Sequence, residues 1–242
     1  MSASSGIDRH RLKSCLDEVE ARIQAACARA GRERDEVTLI AVSKTHPIEA
    51  IEALADLGVS DFGESYVQEW QEKARELEDS VRWHFIGGLQ SNKARFVAGD
   101  VALIHSVDRK SLVNALARRS EAPVNVLLQV NISGERSKGG VEPEELNAFY
   151  ASVVASPELR VCGVMGMAPY ADDPEDARQY FRRLRELFDG LVAYAREHAP
   201  QRADEIREIS MGMSGDFEVA IEEGATLIRV GSALFGERHY DA

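Results

Sequence analysis

The chain has 242 residues, 44% hydrophobic and 29% charged, the make-up of an ordinary globular protein able to bury a substantial core. Its 41 acidic against 29 basic residues leave a net charge of −12, which does not suit a general nucleic-acid or anionic-membrane binder. No apolar run approaches the roughly 18 residues of a membrane span, the opening MSASSGIDRHRLKSC has no signal-peptide core, and Cys15, Cys27 and Cys162 are too scattered for a disulfide framework or zinc site, so a cytoplasmic protein is expected.

A first helix is predicted over about residues 7–31. Leu12, Leu16, Val19, Ile23, Ala26 and Ala30 recur at steps that share one helical face, and Gly31 supplies the stop. Next comes VTLIAVS at 37–43, an unbroken apolar and β-branched run of the kind buried on both faces in a parallel sheet. From there, strands are predicted at 37–43, 60–64, 82–87, 101–106, 124–132, 159–167, 207–212 and 226–231. Helices are predicted near 48–57, 66–78, 90–98, 109–119, 143–155, 175–198 and 216–223, with breakers such as Gly58, Gly99-Asp100, Ser156-Pro157 and Gly224 between elements. Eight strands alternating with helices is the count of an α/β (β/α)8 TIM barrel, the first helix being an addition. An open doubly wound sheet is the runner-up. No linker or composition shift divides the chain, so one domain is expected over 1–242, with the barrel at about 37–238.

Polar residues gather after the apolar runs: Ser43-Lys44, Glu64-Ser65, His84, His105-Ser106, Asn131, Met165 to Met167, Ser210 to Ser214, and Gly231-Ser232. In a barrel, C-terminal strand ends converge on the face where active sites are built. Lys44 would have its stem in an apolar wall, where desolvation favours the neutral amine and Schiff-base chemistry; the plain alternative is a lysine that snorkels to water. Ser210 to Asp216 and Gly231-Ser232 form two donor-rich loops suited to a phosphate, or a helix cap and a tight turn. Arg229, inside strand eight, needs either a carboxylate or a ligand anion or aromatic nitrogen as partner. His84 reads as a satisfied core residue or a site residue. No HxH, HExxH, GxSxG, GxGxxG or P-loop occurs, so metal catalysis is not expected. A phosphate-bearing aldehyde held on Lys44 as an internal aldimine satisfies the lysine, the loops and the arginine together, and pyridoxal 5′-phosphate (PLP) is the common cofactor of that type. A Schiff-base phosphosugar aldolase satisfies two of the three.

The stretches LIAVSKTHP, FGESYVQE, WHFIGGLQSNKAR, VLLQVNISGERSKGGV, GVMGMAP and SMGMSGDFEVAIEEGATLIRVGSALFGER run in order from Leu39 to Arg238. Together they resemble the pyridoxal phosphate homeostasis protein family, whose members are similar to the N-terminal barrel of bacterial alanine racemase. The resemblance implies PLP bound as a Schiff base to Lys44, with Ser210, Ser214, Gly231 and Ser232 around its phosphate and Arg229 facing the pyridine nitrogen. An arginine there leaves that nitrogen unprotonated and weakens the ring as an electron sink. Ser65, His84 and Met165, also at strand ends, complete the candidate cofactor-binding set. Two departures stand out: Ser65 replaces the family's usual asparagine, and Gly87-Gly88 replaces a Gly-Pro. The implied role is a non-catalytic carrier that keeps PLP and linked amino-acid and keto-acid pools in balance, with PLP-dependent enzymes as candidate clients. The rival is a racemase-like enzyme. That chemistry needs a second acid/base, which alanine racemase takes from a second domain across a dimer. No such domain follows here before Ala242, so a monomer is expected.

Overall fold

The computed structural model describes residues 7–77, 80–118, 123–135 and 139–236. Eight parallel strands close into a barrel in chain order. They are β1 (Thr38–Val42), β2 (Asp61–Glu64), β3 (Arg82–Phe85), β4 (Leu103–Val107), β5 (Val124–Gln129), β6 (Leu159–Met165), β7 (Glu208–Ser210) and β8 (Leu227–Val230). Closure comes from β8 pairing back onto β1, which sets Arg229 beside Ile40. Around them lie α1 (Arg9–Ala30), α2 (Ile48–Asp56), α3 (Val67–Leu77), α4 (Lys110–Ala117), α5 (Leu146–Val154), α6 (Arg178–His198), α7 (Pro200–Ala203), α8 (Phe217–Glu222) and α9 (Ser232–Phe235). This is the (β/α)8 barrel with a leading helix that the alternation predicts.

Helix α1 is capped at both ends. Asp8 Oδ1 accepts from the Arg11 N–H at 3.0 Å, and Gly31, at φ 65°, turns the chain out of the helix. Its buried face, Leu12, Leu16, Val19, Ile23, Ala26 and Cys27, packs against α2, α8 and α9. The helix therefore covers one flank of the barrel and not its closed end. Arg32 fastens the end of α1 to the end of α8 by donating to the carbonyls of Ile221 at 3.0 Å and Ala225 at 2.7 Å.

The predicted helix at 90–98 is absent. Lys93, Phe96 and Val97 donate to carbonyls three residues back, closing 3₁₀ turns, with a short 3₁₀ helix at Ala94–Phe96. Only Ala94 and Val97 of this stretch are buried hydrophobics, with Phe96 and Ala98 partly buried, a small face to hold an α-helix against the barrel. Strand ends also differ. Beyond Gln129 the chain pairs with Val141 in an isolated bridge, so the strand expected to reach 132 stops early. The final positions of two predicted helices, 78 and 119, and the motif residues 136–138 and 237–238 lie outside the described residues.

Between β6 and β7 the backbones approach so closely that a Cβ on Gly163 would lie 1.8 Å from the Glu208 carbonyl oxygen, and Gly163 has φ 155°. Only glycine fits there. Inside the barrel, Ile40, Leu103, Leu127, Met165 and Leu227 form a small apolar cluster separate from the large core between strands and helices. The remaining interior is polar: Asp61, His84, His105, Ser210 and Arg229 are all buried.

Candidate active site at the barrel mouth

On β1, Ile40 and Val42 face the barrel interior, and the two-residue period of a strand aims Lys44 the same way, just past the strand end. There it lines a cavity of about 420 Å³ at the C-terminal mouth, within the range that holds small-molecule ligands. Val42, Ile86 and Met167 to Pro169 supply apolar walls, and Lys44, Ser65, Ser214, Asp216, Arg229 and Ser232 supply the polar groups. Two larger hollows, of about 540 and 520 Å³, lie in the outer layer around Trp70 and Phe96 and around Lys93 and Arg118. They are away from the strand ends where barrel chemistry is assembled.

The backbone on both sides of Lys44 is clamped by charges buried behind β1 and β2. Lys73, 5% exposed, donates to the Ser43 carbonyl at 2.8 Å and to Glu64 Oε1 and Glu69 Oε1 at 2.7 Å each. Ser43 Oγ donates to Glu64 Oε1 at 2.7 Å, and Glu69 Oε1 accepts from the Thr45 N–H. Thr45 itself has φ 68°, a left-handed conformation that costs a β-branched residue about 1–2 kcal/mol. Burial pushes the Glu64 carboxyl above the usual carboxylate range, against the pull of the Lys73 ammonium. Lys44 thus sits on a strained, charge-clamped loop.

Arg229, also 5% exposed, donates from Nη1 to Ser210 Oγ at 2.6 Å and from Nη2 to the Gly166 carbonyl at 3.3 Å. A hydroxyl and a carbonyl hold it, which leaves its positive charge directed at the cavity. Burial lowers its pKa to about 10, with Asp216 opposing, so it remains cationic at neutral pH. The loop after β8 turns N–H groups toward the loop after β7: Gly231 N at 3.1 Å and Ala233 N at 3.3 Å both donate to Ser214 Oγ. Two N–H groups already converging on one oxygen is the donor arrangement an anion needs. A Cβ on Gly215 would meet nothing within 4 Å, so the β7 loop lies open to the cavity. Burial raises the Asp216 carboxyl pKa, and its Oδ1 is turned back to accept from Met213 N at 2.6 Å.

The structure thus brings Lys44, Ser65, Ser214, Arg229 and Ser232 to one cavity, with Gly231 donating at its edge and Ser210 beneath Arg229. It does not bring His84 or Met165 there. Met165 packs in the apolar cluster one layer down, and Met167 takes its place on the wall. His84 lies deeper, bonded to Asp61 and His105, and lines a different cavity of about 390 Å³ at the N-terminal strand ends. Ile86, two residues on, is the β3 residue at the mouth. Lys73 and Glu69 are the residues of this site that the sequence alone did not single out. One signal was present: Val67, Trp70, Lys73 and Leu77 share the buried face of α3, so a lysine stood in an apolar stripe.

Comparison with known proteins agrees with this geometry. The family described as "Alanine racemase, N-terminal domain" matches residues 14–239. The pyridoxal phosphate homeostasis protein of Aquifex aeolicus is 46% identical over 229 residues, covering 93% of this chain and 97% of that protein. That of Escherichia coli (strain K12) is 41% identical over 234 residues, covering 93% and 96%. The structure of PipY of Synechococcus elongatus PCC7942 with PLP bound superposes with a TM-score of 0.73 at 34% identity, covering 89% of this chain and all of that one. A barrel of this topology, an inward lysine at the end of its first strand and identity on this scale place the chain in the alanine racemase N-terminal domain family, alongside the pyridoxal phosphate homeostasis proteins.

Proposed function

We propose that this chain binds PLP in the mouth cavity, with Lys44 as its covalent anchor, and serves as a non-catalytic carrier in PLP homeostasis. The observation that carries the reading is convergence: an inward lysine, a buried arginine and donor-bearing loops after β7 and β8 meet in one cavity of about 420 Å³. Its apolar walls match an aromatic ring, and Gly231, Ser214 and Ser232 match a phosphate. When bound, PLP supplies an aldehyde that condenses with amines and a ring that withdraws electrons. Lys44 holds the aldehyde end, and the clamp through Ser43 and Thr45 fixes where its stem begins. Arg229, which lines the same cavity, would offer the ring nitrogen a cation and so favour its unprotonated form.

A racemase-like reading requires a second acid/base held over the opposite face of the ring. Tyr170 lines the same cavity, yet its side chain is 91% exposed, so solvent and not packing sets its position. The carrier reading accordingly leads. Titration of PLP into wild-type protein and Lys44→Ala tests the binding claim: wild type should turn yellow and Lys44→Ala should not. Solvent-deuterium exchange at Cα across a panel of amino acids tests the carrier claim. Exchange above the free-PLP background, lost in Lys44→Ala, would replace the carrier with an enzyme. PLP-dependent enzymes as recipients, a cytoplasmic setting and a monomeric state complete the proposal.

A further inference from the structure

A single file of hydrogen bonds runs through the barrel interior, from the N-terminal strand ends to the mouth. Arg229 Nη1 lies 2.6 Å from Ser210 Oγ, Ser210 Oγ 2.8 Å from His105 Nδ1, His105 Nε2 3.0 Å from His84 Nδ1, and His84 Nε2 2.8 Å from Asp61 Oδ1. Arg82 secures the far end with two bonds to Asp61, at 2.8 and 2.7 Å. All five residues of the file are buried.

The proton positions follow from the two ends. A guanidinium can only donate, so Ser210 Oγ accepts from Arg229 and its own proton is free to go to His105 Nδ1. His105 then carries its proton on Nε2 and gives it to His84 Nδ1. His84 in turn carries its proton on Nε2 and gives it to the Asp61 carboxylate. Every link has one donor and one acceptor, with both imidazoles neutral. Burial, ahead of the nearby Arg229 charge, holds His105 well below its ordinary value, which agrees with a neutral ring. Reversing the file would put the His105 proton on Nδ1. His84 Nδ1 would then have to donate, and His84 Nε2 would face the carboxylate bare unless the ring gained a second proton.

We propose that His105 and His84 are positioning residues for Arg229: through Ser210 they set a one-way file of hydrogen bonds, anchored on Asp61, that fixes the guanidinium at the cavity. The role of Ser210 is then to pass on orientation, not to touch a phosphate. Lone-pair direction matters here because a serine hydroxyl rotates freely. Without His105 to take its proton, Ser210 has no fixed direction in which to receive Arg229.

The test has two arms, of which only the second rests on the PLP reading. In the first, protein labelled with ¹⁵N-histidine and free of PLP is examined by long-range ¹H–¹⁵N correlation, with His84→Gln and His105→Gln used for assignment. Both rings should show a protonated Nε2 and a bare Nδ1. A proton on Nδ1 of His105 overturns the proposal. In the second, PLP is titrated into Ser210→Ala, His105→Phe and Ser210→Thr, each first checked for native circular dichroism. Loss of one hydrogen bond to a charged group should weaken PLP by about tenfold and shift the visible absorption in the first two. Ser210→Thr, which keeps the hydroxyl, should restore both. Folded Ser210→Ala and His105→Phe with wild-type affinity and spectrum would overturn the proposal. If wild-type protein takes up no PLP, the cofactor reading fails while the histidine tautomers still decide the file.

Discussion

Lys73→Met is the perturbation that probes the clamp behind Lys44 most sharply. Methionine keeps the apolar length of the lysine and removes the ammonium. The Glu64 side chain is 0% exposed and that of Lys73 is 6% exposed, so the substitution leaves a carboxylate buried with, among the described residues, only the Ser43 hydroxyl to donate to it. Breaking a buried pair from one side costs about 3–5 kcal/mol, a large share of the roughly 5–15 kcal/mol that holds a domain folded. At about 2–4 °C per kcal/mol for a chain of this size, Tm should fall by about 6–20 °C. Lys73→Met/Glu64→Gln, which removes both charges, should recover about 2 kcal/mol or more of that loss. The loss should also depend on pH. Burial already raises Glu64 above its ordinary 4.5, so the native state holds this proton more tightly than the unfolded chain does. That stability is present below 4.5 and is lost as pH rises through the raised value. Lys73→Met raises Glu64 further, so it should be closer to wild type at pH 5 than at pH 8. Urea unfolding at the two pH values measures all of this. A variant within about 0.5 kcal/mol of wild type at both, or a double mutant no better than the single, would refute a buried, coupled clamp.

Thr45→Gly removes the left-handed strain at φ 68° and should change stability by no more than about +1 kcal/mol. The same change frees the loop that carries Lys44, so PLP should bind more weakly in a more stable protein; tighter binding would show that the strain does not preorganise the lysine. Gly163→Ala should destabilise by more than about 4 kcal/mol or prevent folding, because its Cβ would sit 1.8 Å from a carbonyl oxygen; a soluble variant with wild-type Tm would contradict the β6–β7 packing. Acid should weaken the barrel in two stages. His105 is held well below 6.5, so the unfolded chain binds the extra proton and stability drops as pH falls below 6.5. Burial pushes Asp61 up, but hydrogen bonds from His84, Arg82 and Ser60 outweigh it, and the net shift is below 3.8. Its contribution is lost as pH falls below that value. His105→Gln should flatten the first stage and keep the second, and a urea midpoint that changes between pH 7 and 5 by the same amount in His105→Gln as in wild type would remove the first.

The fold was legible because short stretches rich in apolar and β-branched residues, such as TLIAV of β1, alternate with segments of helical period, of which α1 and α6 carry a clear apolar stripe. The same pattern misjudged 90–98, where Ala94 and Val97 suggest a helix but too little apolar surface follows to hold one. For the site, strand alternation reveals the face of a residue and not its height. Lys44 and Arg229 were legible because each lies on the interior face near the end of its strand. His84 and Met165 share the interior face too, but both sit a layer or more below the mouth, while Ile86 and Met167, two residues on, reach it. The clamp was hidden for another reason. Glu64 stood out only as a polar residue at a strand end and Lys73 not at all, and only the packing of α3 against β2 buries the two together.

The central claim is that Lys44 anchors PLP, and borohydride reduction of the PLP-loaded protein followed by peptide mapping tests it most directly. The account predicts one stable pyridoxyl label per chain, on the peptide that carries Lys44, and none in Lys44→Ala. A label found chiefly on another lysine, or a protein that takes up no PLP, would contradict it.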